Sequence, residues 1–214
     1  GVREGTSYII FTMKIHILFG MIGFILLSGC NRAAEKNPRF YDAGVSRELA
    51  GHRKAQIKNL KYELSFNIPR QKEAAIEGDI TLRFDLASRQ EVLIDFREER
   101  EKIKEVIANG VPVDKVRFEN EHIILPASST VEGANGIRIR FTAGNQSLNR
   151  NDEYLYTLLV PDRARTVFPC FEQPNLKAEF TLQLELPADW KAVSNTYIRS
   201  ETVTDDRKTV CFAP

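Results

Sequence analysis

From Leu60 onward the chain alternates between apolar and polar positions. Leu60, Tyr62, Leu64, Phe66 and Ile68 are separated by other residues as far as Pro69, and Ile80, Leu82, Phe84 and Leu86 repeat the period of two. The pattern returns at residues 92–96, 103–108 and 122–125, at Ile137, Ile139, Phe141 and Ala143, and at Phe180, Leu182, Leu184 and Leu186. Side chains two apart share one face of a strand, so this spacing predicts strands with one buried and one wet face. Asn109-Gly110 lies between two β-prone runs and predicts a two-residue hairpin, whose turn needs positive φ at both positions. After residue 58 no periodic stretch is long enough to cross between parallel strands as a helix, which excludes βαβ folds. The expected body is an all-β, antiparallel domain over residues 59–214. The last strand-like run, residues 207–212, stops at Ala213-Pro214 without a terminating signal, so a truncated chain is expected.

The pattern before residue 59 is different. Ser46 is a good N-cap for the helix formers that follow, and a short surface helix is predicted over 46–58, with sparse apolar positions at 49, 50 and 57. Further back, Met13-Lys14-Ile15-His16 leads into an apolar run over 17–27 and then Ser28-Gly29-Cys30. A basic start, a short apolar run and a small-residue stop describe a secretory signal, too short for a comfortable membrane span. Leu27-Ser28-Gly29-Cys30 resembles the bacterial lipobox, in which the cysteine is lipidated and begins the mature protein. Residues 1–29 are thus expected to be a leader with upstream residues, and 30–45 a lipidated Cys30 and polar tether. The expected location is the bacterial cell envelope, with a lipid anchor holding the protein to a membrane.

Composition narrows the class. Of 214 residues, 43 % are apolar and 28 % charged, which disfavours a coiled coil, a disordered tail or a disulfide mini-scaffold. Lys plus Arg number 30 and Asp plus Glu 29, interspersed, so no basic face for nucleic acid is expected. Loss of residues 1–29 would remove Arg3, Lys14 and Glu4 and leave the mature charge balanced. Cys170 and Cys211 are the other cysteines; in an oxidising envelope they pair or stay as buried thiols, and spacing does not choose.

Familiar catalytic patterns are missing. Beyond the leader only His52 and His122 remain, neither with a second ligand at zinc spacing, and both read as surface imidazoles without a role. There is no nucleophile elbow and no phosphate loop. Asn145-Gln146-Ser147 fits a glycosylation sequon, which a bacterial leader makes coincidental.

Between Ser147 and Pro174 the alternation breaks, and charges, aromatics and prolines crowd together. Such a stretch is expected to be ordered by specific packing, with Asp162, Arg163, Arg165 and Glu172 near enough in sequence to form ion pairs. Within it, Phe168-Pro169-Cys170-Phe171-Glu172-Gln173-Pro174 resembles the Pro-Cys-x-Asp-Glu-Pro signature of the aminopeptidase N family of zinc metallopeptidases. The following strand and the Ser194-Asn195 turn also resemble that family. So do Tyr62 to Pro69, Gly78 to Phe84 and Asn109-Gly110, in order and spacing.

The resemblance implies a saddle-shaped amino-terminal β-domain that leans over a separate catalytic domain. That catalytic domain would supply His-Glu-x-x-His, a distant Glu and Gly-x-Met-Glu-Asn. None of these lies in this chain, so zinc is expected outside it and this segment is expected to be inactive alone. The implied partners are a peptide substrate and the protein's own catalytic domain. In many members a loop before the signature places Gln or Glu to hold the substrate's amino group. Counting back from Pro169, those positions fall on Leu158 and Val160, and an aliphatic side chain cannot accept a hydrogen bond from an ammonium. Asp162 or Glu153 would then take over, or the catalytic domain would, or the substrate differs. Glu172 and Gln173 replace the usual Asp and Glu, keeping hydrogen-bonding capacity. The expected substrate-side residues are Leu158, Val160, Asp162, Phe171, Glu172 and Gln173. The competing expectation is a non-catalytic, lipid-anchored β-domain that serves as a binding module.

Overall fold

The alternating segments form the strands that their period predicts. In the computed structural model, which describes residues 38–214, β1 (Ile57–Asn67) and β2 (Glu77–Leu86) form an antiparallel pair. Next come β3 (Val92–Asp95), β4 (Ile103–Ala108), β5 (Val111–Pro112), β6 (Arg117–Glu119), β7 (His122–Leu125) and β8 (Gly133–Thr142). The chain ends through β9 (Leu148–Arg150), β10 (Leu155–Thr157), β11 (Glu179–Pro187), β12 (Ile198–Thr204) and β13 (Arg207–Phe212). The expected leader and Cys30 lie outside the described residues.

One sheet of eight strands runs in the order β12-β13-β11-β1-β2-β8-β4-β5. Every neighbouring pair in it is antiparallel except β1 and β11, which run parallel with Tyr62 opposite Phe180. The expected antiparallel sheet is therefore mixed at one seam, where β11 comes back beside β1 after nine intervening strands and needs no crossover helix. Asn109 and Gly110 take φ +52° and +81° and close the β4–β5 hairpin. Gly78 is required for packing: a Cβ there would collide with the Phe141 ring on β8.

The inner face of the large sheet carries Leu60, Tyr62, Leu64, Ile80, Leu82, Phe84, Ile137, Ile139 and Phe141, all buried. Against it packs a second sheet, in the order β3-β7-β6. Both β3 and β7 are buried along their whole length, so their two faces serve two layers. Val92, Ile94, Ile123 and Leu125 join the main core, whereas Leu93 and Ile124 join a smaller cluster with Leu49.

That smaller cluster explains two departures from expectation. Helix α1 (Arg47–Gln56) starts where predicted, with Ser46 Oγ accepting the Leu49 N–H at 3.0 Å, but it is not merely a surface helix. Leu49 and Arg53, four residues apart and so on one face, are buried against the small sheet. Of the tether expected over 30–45, residues 38–45 are described, and they are packed on the domain. Pro38–Tyr41 form a 3-10 turn, and Phe40, Tyr41 and Val45 pack on the Leu49 cluster. Tyr41 Oη donates to Glu91 at 2.5 Å; burial and that neighbouring carboxylate push the phenol up to about 12. Among the described residues no helix is long and apolar enough to cross a membrane.

Candidate functional site

The signature segment, residues 168–174, leads into β11 of the large sheet and touches both that sheet and α1. Its backbone is bolted to β3: Asp95 N–H donates to Cys170 O at 2.8 Å and Cys170 N–H returns to Asp95 O at 3.0 Å. Tyr62 Oη accepts the Phe171 N–H at 2.9 Å. The Phe171 ring meets Phe84 edge-on at 5.6 Å and lies 5.2 Å below the Arg53 guanidinium.

At the centre of this packing is Asp95, fully buried. Arg53 grips both its oxygens, Nη1 to Oδ2 at 2.8 Å and Nη2 to Oδ1 at 2.6 Å, and Nη2 also donates to Leu93 O at 2.9 Å. Glu172 N–H donates to Oδ2 at 2.8 Å. His122, directly across the strand pair, holds Nδ1 2.8 Å from Oδ1, off the line of a good hydrogen bond. Its Nε2 donates to Asp42 O at 2.9 Å, which ties the 38–45 segment to the same centre. Burial alone pushes the Asp95 carboxyl up, but the Arg53 charge, the close approach of the His122 ring and the hydrogen bonds from Arg53 outweigh it and hold the group at about 2. His122 is therefore no surface imidazole: it is wholly buried, because its strand is covered on both faces. His52 is half-buried, with Nε2 2.6 Å from Gln90 Oε1 and its ring 4.8 Å from Phe40.

Of the four residues expected to form ion pairs, Arg165 and Asp162 meet, and Arg165 takes a further partner from outside the segment. Arg165, buried, pairs with Asp162 and with Glu121, which in turn pairs with Arg97 at 3.1 Å. Among the described residues Glu172 meets no arginine head group; its Oε2 accepts the backbone N–H of Arg165 at 2.8 Å. Burial raises the Glu172 carboxyl above the ordinary range, with the Arg165 N–H opposing and Asp162 and Asp95 adding to the rise. The Cys170 thiol is driven well up by burial and then by Glu172 and Asp95, which makes it unreactive. Both Cys170 and Cys211 are free.

Above this base, β9 and β10 form a small hairpin whose foundation is rigid. Arg150 donates to Ala74 O at 2.8 Å and Gln71 O at 2.7 Å, and Asn151 Oδ1 accepts the N–H groups of Glu153 and Tyr154 at 2.8 Å. Leu155 and Leu159 pack down on the core. The alternate side chains stand out: Tyr154, Tyr156 and Leu158 are half exposed and Val160 is 85 % exposed. The two tyrosines stack at 6.0 Å.

The six expected substrate-side residues thus divide. Leu158 and Val160 lie on this exposed lip, and Asp162, also exposed, just beyond it. Phe171 is 5 % and Gln173 8 % exposed, turned into the domain's interior. Gln173 Nε2 donates to Ala50 O at 3.1 Å, so these two brace the fold and do not reach solvent. The half-buried Glu172 belongs to the same brace. Arg53, Asp95 and His122 were not singled out by sequence reasoning as parts of the site. The available signal was an ionisable side chain at the end of an otherwise apolar strand, Asp95 after Val92-Leu93-Ile94 and His122 before Ile123-Ile124-Leu125. Among the described residues, no grouping of three His, Cys, Asp or Glu side chains could hold a metal ion.

The chain is similar to known proteins. The profile of the Peptidase M1 N-terminal domain matches residues 58–214. Aminopeptidase N of Streptomyces lividans is 32 % identical over 166 residues, 71 % of this chain and 19 % of the relative. Glutamyl aminopeptidase of Sus scrofa is 44 % identical over 46 residues, 22 % of this chain and 5 % of the relative. The chain therefore spans about a fifth of the Streptomyces relative's length and less of the porcine one. Among solved structures, an M1 zinc metallopeptidase from Deinococcus radiodurans superposes with a TM-score of 0.62 at 20 % identity, covering 73 % of this chain and 38 % of that one. Its E323A mutant bound to a Tyr-Ser-Ala substrate superposes with a TM-score of 0.60, again at 20 % identity, over 73 % of this chain and 39 % of that one. At that identity the likeness establishes the fold.

Proposed function

Because the chain belongs to the Peptidase M1 N-terminal domain family, we propose that it is the substrate-side capping domain of a zinc-dependent aminopeptidase that removes amino-terminal residues from peptides. The observation that carries this reading is the lip at 154–160: four exposed apolar side chains on a hairpin pinned to the core. A solvated loop has no need of such a base, whereas a surface that meets a second domain or a peptide does. The zinc ion and the residues that activate water belong, on this reading, to a catalytic domain outside these residues. The chain's own residues do no bond breaking; they shape and close the approach to the reacting centre.

The same reading has Cys30 lipidated and the protein held at a membrane of the bacterial envelope. Its support is the apolar run that ends in Leu27-Ser28-Gly29-Cys30. Replacement of Cys30 by Ser should move the protein from the membrane to the soluble fraction.

A second reading, a non-catalytic binding module on a lipid anchor, draws on Leu158 and Val160, which offer no acceptor to a substrate amine. One assay separates the two. The full-length gene product is incubated with aminoacyl p-nitroanilides before and after chelation of metal. Hydrolysis that is lost on chelation and restored by zinc supports the peptidase, with residues 1–214 alone expected to be inactive. A folded full-length protein that hydrolyses none of them favours the binding module.

A further inference from the structure

The loop over 158–162 is held at both ends, and the two holds differ in kind. At its start the Leu158 N–H donates to Ser147 O at 2.9 Å, an ordinary backbone bond. At its end Asp162 sits at φ +53°, a left-handed turn that Asp adopts more readily than most residues. What sets this end apart is Arg165. Its buried guanidinium forks onto the Asp162 carboxylate, Nε to Oδ1 at 3.0 Å and Nη2 to Oδ2 at 2.8 Å, and its Nη1 pairs with Glu121. Its backbone N–H is fixed by Glu172. Both Asp162 oxygens therefore already accept hydrogen bonds from Arg165 within the domain.

We propose that Arg165 is a positioning residue for substrate binding, acting through Asp162 to fix the exposed 158–160 lip, an inference that rests on the aminopeptidase reading above. Asp162 then contributes by geometry and not by contact. The planar fork matters: a lysine keeps the charge but offers no rigid pair of donors. A loosened lip weakens binding of the substrate in ground state and transition state alike, so KM rises while kcat holds.

The test uses the full-length protein and two variants. Asp162→Asn replaces an exposed carboxylate with a side chain equally at home at positive φ, so folding is preserved. Arg165→Lys removes the fork from the other side. Amide exchange across 158–163 is read together with kcat and KM on an aminoacyl p-nitroanilide. The expected result for Asp162→Asn is exchange faster by about tenfold and a KM higher by roughly tenfold, with kcat within about twofold. Arg165→Lys should move both quantities in the same direction. Unchanged loop exchange, or a kcat that falls with the folded fraction while KM stays constant, overturns the inference and leaves Arg165 a structural residue only. A wild-type protein that hydrolyses nothing removes the aminopeptidase reading and the substrate role of Arg165 with it, whereas an active wild type with unaltered variants overturns the inference alone.

Discussion

The two faces of this domain handle charge in opposite ways. On the wet face of the large sheet, opposite charges sit on neighbouring strands: Arg83 with Glu63 at 2.6 Å, Arg138 with Asp79 at 2.6 Å and Lys61 with Glu179 at 3.0 Å. These pairs remain largely in water, where attraction is screened and side-chain ordering offsets most of it. Behind the small sheet, Arg53, Asp95 and His122 are removed from water altogether. There each charge depends on its partners, because an unpaired buried charge is far costlier than an unpaired exposed one. The wet face is replaceable decoration on a hydrophobic sheet. The buried centre is a joint that ties α1, β3, β7, the 38–45 segment and the signature into one body.

The largest expected effect falls on that joint. Arg53→Met leaves Asp95 buried without its main partner and should cost about 3–5 kcal/mol in urea unfolding. The same joint sets the acid response. Asp95 is held near 2 in the folded domain, against about 3.9 for an unfolded Asp. Its contribution is present above the unfolded value and lost as pH falls from about 4 to about 2. Acid titration of unfolding should show that loss in the wild type and a diminished one in Asp95→Asn.

Next in size is Gly78→Ala, which forces a Cβ against the Phe141 ring and should cost about 1–3 kcal/mol by overpacking, measured by thermal unfolding. Asp79→Asn breaks an exposed pair and should shift unfolding by less than about 1 kcal/mol, increasingly less as salt rises. If Asp79→Asn matched Arg53→Met, the contrast between the two faces would be wrong.

Smallest is Glu172→Gln. Its amide oxygen still accepts the Arg165 N–H, so neutral-pH stability should change by no more than about 0.5 kcal/mol. Because the Glu172 carboxyl is raised on folding, its contribution is present at low pH and lost as pH rises through the folded value, opposite in sign to Asp95.

Much of the scaffold was legible because a strand's burial is written in its own period. Ile80, Leu82, Phe84 and Ile137, Ile139, Phe141 alternate, and they face inward together across the β2–β8 pair. The Asn109-Gly110 turn is local chemistry and formed as read. What stayed hidden depends on residues far apart in sequence. Arg53 meets Asp95 across 42 positions, and His122 is buried because α1 and residues 38–45 cover a strand that sequence alone shows only as apolar. The parallel seam of β1 with β11 depends on the whole topology. In the candidate site, the signature motif stood out by its residues. That Phe171 and Gln173 face inward while Leu158 and Val160 face outward follows from which strand covers which loop, information no local window contains.

The central claim is that the 154–160 lip lies where substrate binds, and one measurement addresses it directly. In the full-length protein, Tyr154, Tyr156, Leu158 and Val160 are replaced together by alanine, a change confined to exposed side chains, and kcat/KM is measured on an aminoacyl p-nitroanilide beside the melting temperature. The account predicts a fall in kcat/KM of about tenfold or more with the melting temperature nearly unchanged. Undiminished kcat/KM in a folded, active protein would contradict it.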